Sequence, residues 1–203
     1  MIKPMNSVSV WKWMERSGAV ILGASVFVLL LTFYPVLKEE VAYQFFPPAV
    51  SDKKVRAIND EFGIIVPKIG ANAVVVSDVD WQDASAYQEA LTKGVAHAAG
   101  TAHPGENGNV FLFAHSGTDF FQATRYNAIF YLIDKLELGD EVTLWYHQQK
   151  FTYRVTNKKT VAPEQIEYLS GDPSRQTLTL MTCTPAGTTL HRLIVSAERV
   201  ITP

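Results

Sequence analysis

The chain has 203 residues, 18 basic against 20 acidic side chains, 47% hydrophobic residues and one cysteine. A formal charge of −2 leaves no electrostatic footprint for nucleic acid, and a lone thiol excludes an intrachain disulfide framework. The length accommodates one moderate domain and an accessory segment.

Met1 to Arg16 is short and polar-aromatic, with Trp11 and Trp13 of the kind found at membrane interfaces. Ser17 to Leu37 then runs without a charged residue, a length that matches a bilayer span. A cleavable signal peptide has a shorter apolar core and a small-residue cleavage site. Here Phe33, Tyr34 and Pro35 close the run instead. The reading is a cytoplasmic tail over 1–16 and a transmembrane signal anchor over 17–37. Lys3, Lys12 and Arg16 precede the span, which places the N-terminus in the cytoplasm and the remainder outside. Residues 38–60 read as a connector, with Pro47-Pro48 breaking regular structure and Ser51 to Lys54 solvated.

A globular domain is expected over 61–203. Gly63 to Ile69 and Ala73 to Val76 are strand-like, split by Gly70-Ala71-Asn72. Asp83 to Thr92 has helical composition, and Gly94 to Ala99 is a short apolar strand carrying His97. Asn109 to Ala114 reads as a buried strand that delivers His115 at its end. Ile129, Leu132, Ile133 and Leu136 recur at helical spacing, which predicts a helix over Arg125 to Leu136. Glu141 to His147 and Phe151 to Thr156 form a hairpin, and Pro163 to Ser174 is a polar loop. Short strands with recurrent turn signals predict a mainly β sandwich or barrel.

Thr177 to Met181 is a β-branched and apolar run with Cys183 just beyond it. Thr184 to Gly187 supplies turn chemistry. A second apolar run, Leu190 to Val195, carries Arg192. The hairpin thus brings a thiol near a guanidinium that stays charged and favours a thiolate. A buried cysteine acting as a small hydrophobe, beside a surface arginine, fits the same spacing. A thiolate that cuts a peptide bond also needs an acid for the leaving amine. His97, His103, His115, His147 and His191 compete for that role. His115 stands out because it ends an apolar strand and opens a polar loop. His147 sits at a hairpin tip, His103 reads as structural, and alternation sends His191 to the face opposite Arg192, as packing. No pair of histidines or carboxylates has metal-ligand spacing, so neither a metal site nor a cofactor is expected.

Thr179-Leu180-Met181-Thr182-Cys183, followed by Arg192 opening the next strand, resembles the signature of sortases, the cysteine transpeptidases of bacterial surfaces. Gly100 to Asn109, with Pro104-Gly105 and Gly108-Asn109, then a strand ending in His115, resembles the stretch before the family's histidine. Many sortases have Gly before that histidine, where this chain has Ala114. The resemblance implies a closed eight-stranded β-barrel with short crossover helices. It implies Cys183 as nucleophile, His115 as acid and Arg192 as oxyanion or backbone donor. Thr182 is a substrate-binding candidate through its hydroxyl or backbone N–H. The implied reaction cleaves a Leu-Pro-x-Thr-Gly-like sorting signal through a thioacyl-enzyme and passes the surface protein to an amine. The acceptor is a cell-wall precursor or, in the pilin-polymerising class, a pilin lysine. Asp80-Trp81 lacks the Pro of the pilin-class lid motif, which favours anchoring over polymerisation. A membrane-anchored peptide-binding domain without activity is the reading from another class, and an L,D-transpeptidase would need a His-Gly-rich motif that is not seen.

Overall fold

Strand periodicity organises the region after Ala57, because inward apolar residues alternate with outward ones along each β segment. The computed structural model describes residues 7–45, 57–116, 129–186 and 188–201. Among them, eight strands close a barrel in the order β1-β2-β3-β4-β7-β8-β6-β5. These are β1 Phe62–Val66, β2 Ala71–Val79, β3 Val95–Ala98, β4 Gly108–Phe113, β5 Glu141–Tyr146, β6 Gln149–Val161, β7 Gln176–Thr184 and β8 His191–Arg199. The expected mainly β, eight-stranded barrel is the one observed.

β2 with β3 and β4 with β7 are parallel, and the other neighbours are antiparallel. A parallel pair needs a crossover. The helix Ala84–Lys93 supplies it between β2 and β3, close to the predicted 83–92. Its N-cap is Asp83, whose Oδ1 accepts from the N–H groups of Ser85 at 2.8 Å and Ala86 at 3.2 Å.

Closure removes every sheet edge, and the interior is filled by Ile64, Leu112, Leu144, Leu178, Leu180 and Val195, all fully buried. Leu112 pairs with Leu180, and Leu180 with Val195, so one apolar row crosses β4, β7 and β8. A slip of one residue in any of these strands would turn that row to the outside. At the foot of the same strands Asn109 is buried. Its Oδ1 accepts from Thr177 and Thr179 at 3.1 and 3.0 Å, and its Nδ2 donates to the Tyr168 carbonyl at 2.8 Å. That single amide ties β4, β7 and the loop before β7.

Several expected elements differ in detail. The first strand stops at Val66, because Pro67 opens a 3-10 turn that Gly70 closes in the left-handed region at φ 65°. The helix predicted over Arg125 to Leu136 is not present in its described part: residues 129–132 are turns, and Ile133–Lys135 is one 3-10 turn. Phe130, Ile133 and Leu136 are the buried side chains, a spacing of three that suits a 3-10 path. Lys158 holds that path by donating from Nζ to the carbonyls of Asp134 and Leu136, both at 2.7 Å. The β5–β6 hairpin turns at His147 and Gln148, both at positive φ, rather than over Gln148 to Lys150.

The N-terminal helix is a separate unit and spans Ser7–Phe45. Within it the 21 residues Trp11–Leu31 are long and apolar enough to cross a membrane. The hydroxyls of Ser17 and Ser25 bond back to the carbonyls of Trp13 and Ile21, at 2.8 and 2.9 Å, which satisfies them without water.

Tyr153 gives this fold a measurable signature. It is fully buried, and its hydroxyl has no hydrogen-bond partner among the described residues. Tyr153→Phe removes that unsatisfied group and is expected to raise stability by about 1 kcal/mol, a Tm gain of roughly 2–4 °C. Burial pushes the Tyr153 phenol up to about 12. The unfolded phenol ionises near pH 10, so above that pH the unfolded chain binds fewer protons than the folded one. Stability then falls by about 1.4 kcal/mol per pH unit until the folded phenol itself ionises. Denaturant melts from pH 9 to 12 should show a steeper loss for wild type than for Tyr153→Phe.

Candidate active site

The outer face of the three-strand row is where the chemistry-bearing residues collect. On β7, Leu178, Leu180 and Thr182 are buried while Met181 and Cys183 are half-exposed. Met181 pairs with Phe113 of β4 on one side and Ile194 of β8 on the other. Two residues further along, Cys183 pairs with Arg192. Directly opposed Cα atoms in an antiparallel pair lie about 4.5–5.5 Å apart. The parallel β4–β7 register runs to Phe113 and Met181, and His115 follows two residues later on the same chain as β4. His115, Cys183 and Arg192 each stand two residues beyond Phe113, Met181 and Ile194 toward the same end of the three strands.

All six of these side chains line one cavity of about 360 Å³. Trp81 and Tyr87 wall it on one side, and Ile166, Tyr168 and Leu169 from the loop before β7 wall it on the other. The Pro163 to Ser174 loop thus shapes the groove, whereas Phe120-Phe121 lie outside the described residues. An apolar groove ending at a few polar groups is the form of a site that binds an extended, largely apolar ligand.

Each of these polar side chains is positioned by the fold. Ala114, immediately before His115, donates from its N–H to the Met181 carbonyl at 3.2 Å. Its own carbonyl accepts the Thr182 hydroxyl at 2.9 Å. The residue preceding His115 is thus fixed from both sides by β7. Arg192 donates from Nη1 to the carbonyls of Thr189 and His191, at 3.2 and 3.3 Å, which anchors the guanidinium to the β7–β8 loop. Among the described residues no carboxylate pairs with it, and it lines the cavity.

Thr182, the expected substrate contact, is also in the lining of the cavity. Alternation turns its side chain inward, away from the Cys183 face, and its hydroxyl is committed to Ala114. The rival histidines separate clearly, and none of them lines the cavity. His97 is fully buried, and burial pushes its pKa below the usual histidine value. His103 lies beside it on the β3–β4 loop. His147 is exposed at the hairpin and faces Glu61 at 3.2 Å. His191 does point away from the Arg192 face, but it is exposed rather than packed. Sequence spacing did not reveal the company His97 and His103 keep: both face Asp78, at the β2 bulge.

Comparison with known proteins adds a consistent picture. A family model described as the sortase domain matches residues 64–200. The curated sortase D of Bacillus subtilis (strain 168) is 29% identical over 138 residues, 66% of this chain. The chain spans 61% of that relative's length. A solved Clostridium perfringens sortase D5 transpeptidase aligns with a TM-score of 0.57 and 27% identity, covering 73% of this chain and 84% of that one. The sortase C1 of Streptococcus suis aligns with a TM-score of 0.59 and 26% identity, covering 70% and 73%.

Replacing the Thr182 hydroxyl tests how far the fold depends on the Ala114 clamp. Thr182→Val keeps the shape and strands a buried carbonyl, so it should destabilise by about 1–3 kcal/mol. Thr182→Ser should recover most of that loss, as read by denaturant melts.

Proposed function

Because the chain belongs to the sortase family, we propose that it is a membrane-anchored cysteine transpeptidase acting on sorting signals of exported surface proteins. The observation that supports this reading is the pairing of Cys183 with Arg192, with His115 in the lining of the same largely apolar cavity. An extended Leu-Pro-x-Thr-Gly-like peptide lies in the groove, its apolar residues over Phe113, Met181 and Ile194. Cys183 Sγ attacks the carbonyl carbon of the threonine. Arg192 donates to the oxygen that takes up charge, a role worth most where donors are held in advance. His115 passes a proton to the nitrogen of the glycine as the C–N bond breaks. The peptide remains on sulfur as a thioester. An incoming amine then attacks that carbonyl, loses its proton to His115 and releases the thiolate.

Thr182 acts here as a positioning residue for His115 through Ala114. The proposed arrangement over the chain is tail 1–16, transmembrane anchor 17–37, connector 38–60 and catalytic domain 61–203, with the N-terminus cytoplasmic and the catalytic domain outside. The proposed acceptor is an amine of a cell-wall precursor. A pilin lysine is the competing acceptor, and a panel of amines separates the two.

Full-length protein in detergent micelles, incubated with quenched sorting-signal peptides, tests the reading by intact mass. Wild type should carry a thioacyl adduct that an added amine removes. Cys183→Ala should form none. Arg192→Ala should keep the adduct site but lose roughly 10²–10³ in turnover, and His115→Ala roughly 10²–10⁴. Turnover by Cys183→Ala would overturn the assignment.

A further inference from the structure

The three groups at the β2 bulge lie away from the groove. Asp78 sits where the β2–β3 register shifts, at φ 53°, a left-handed conformation that Asp tolerates better than most residues. The bulge lifts its carboxylate out of the strand and aims it at two imidazoles. His97 Nδ1 lies 3.6 Å from Asp78 Oδ1, and His103 Nε2 lies 3.2 Å from Asp78 Oδ2. The three ligand atoms all fall within 4.8 Å of one another. Ser77 adds a hydroxyl 3.3 Å from His103 Nε2.

The far side of each imidazole is also arranged. His97 Nε2 lies 3.1 Å from the Ala102 carbonyl and 3.0 Å from Thr101 Oγ1. An N–H at Nε2 serves that carbonyl and leaves Nδ1 with its lone pair toward Asp78. The Asp78 N–H now meets that lone pair at a long 3.3 Å, a contact that a better electrophile replaces. His103 Nε2 donates to Asp78 Oδ2 at 3.2 Å, so a cation binding there displaces that proton, and Nδ1, 3.7 Å from Glu106 Oε2, is the nitrogen left to carry one. A backbone acceptor behind the ring, as His97 has in the Ala102 carbonyl, is the outer-shell pattern of histidines that bind metal. Aromatic packing holds the rings in place: His103 stacks on Tyr146 at 5.3 Å, and Phe62 lies 5.6 Å from His97. The aspartate is half-exposed, so a cation and its remaining waters have a way in.

We propose that Asp78, His97 and His103 form a binding site for a borderline divalent cation, Zn²⁺ being the representative. Two imidazole nitrogens and one carboxylate oxygen suit such an ion better than Ca²⁺ or Mg²⁺, which prefer oxygen. Zn–N and Zn–O bonds of about 2.0–2.2 Å place tetrahedral ligands roughly 3.3–3.6 Å apart, so ligand atoms that already lie within 4.8 Å of one another need close in by only about an ångström. Water or Ser77 Oγ completes the shell. The ion cross-links the β2 bulge, β3 and the β3–β4 loop, and that loop leads directly into the strand ending at His115. This site is independent of the reaction proposed for the groove.

The test uses the tag-free full-length protein in detergent micelles, with Zn²⁺ or Co²⁺ as the only added cation. Wild type should bind one ion per chain by calorimetry, gain in Tm with Zn²⁺, and develop visible d–d absorption with Co²⁺. Cys183→Ala should behave identically, which separates this site from binding at the thiol. Asp78→Asn keeps a side chain suited to positive φ and leaves the buried His97 undisturbed. Asp78→Asn and His103→Ala should each lower affinity by more than the roughly 10–100-fold cost of losing an outer-shell partner. Absence of binding by wild type would leave these groups an ordinary ion-pair cluster and overturn the proposal. So would binding that survives in both Asp78→Asn and His103→Ala, or that disappears in Cys183→Ala.

Discussion

The register of β7 against its two neighbours is the constraint on which the rest of the molecule depends. One row, Leu112, Leu180 and Val195, fills the barrel. The inside-outside alternation of strands then sends Phe113, Met181 and Ile194 outward, and the following outward positions are His115, Cys183 and Arg192. The proposed catalytic groups are thus aligned by the burial of residues that never touch them. Hydrophobic burial is strong and non-directional, yet through the period of two it fixes positions far more finely than contact between polar side chains would.

The polar contacts refine what the register sets. Asn109 ties the foot of β4 to β7 and to the loop that carries Tyr168 and Leu169 over the groove. The Thr182 hydroxyl holds the strand's other end at Ala114. Both interactions are buried and made between β7 or its preceding loop and β4, so the groove wall and the histidine share one frame. The β7–β8 loop does the corresponding work for Arg192 through two carbonyls.

Local features of this architecture were legible in the sequence. The Cys183–Arg192 hairpin is local, and its turn residues and apolar runs announced it. His115 was distinguished by strand-end position and by the Pro-Gly stretch before it. Partners distant in sequence were harder. Thr182 adjoins the cysteine, and the partner of its hydroxyl, the Ala114 carbonyl, lies 68 residues away. Ile129 to Leu136 has helical periodicity, yet carbonyls captured by Lys158 from another strand favour a 3-10 path. His97 and His103 carry no motif spacing with Asp78, since a parallel pairing and a bulge bring them together. In each instance the deciding interaction comes from a part of the chain that no local window contains.

The alternation of β4, β7 and β8 also governs what substitution costs. The inward row fills the barrel and the outward row lines the cavity, so substitutions at Phe113, Met181 or Ile194 reshape the cavity, and at the buried Phe113 and Ile194 they also cost packing. Filling of the barrel interior and lining of the cavity therefore fall on alternate residues of the same strands. The half-exposed Met181 is thus the strand position where the cavity changes shape at least cost to the barrel.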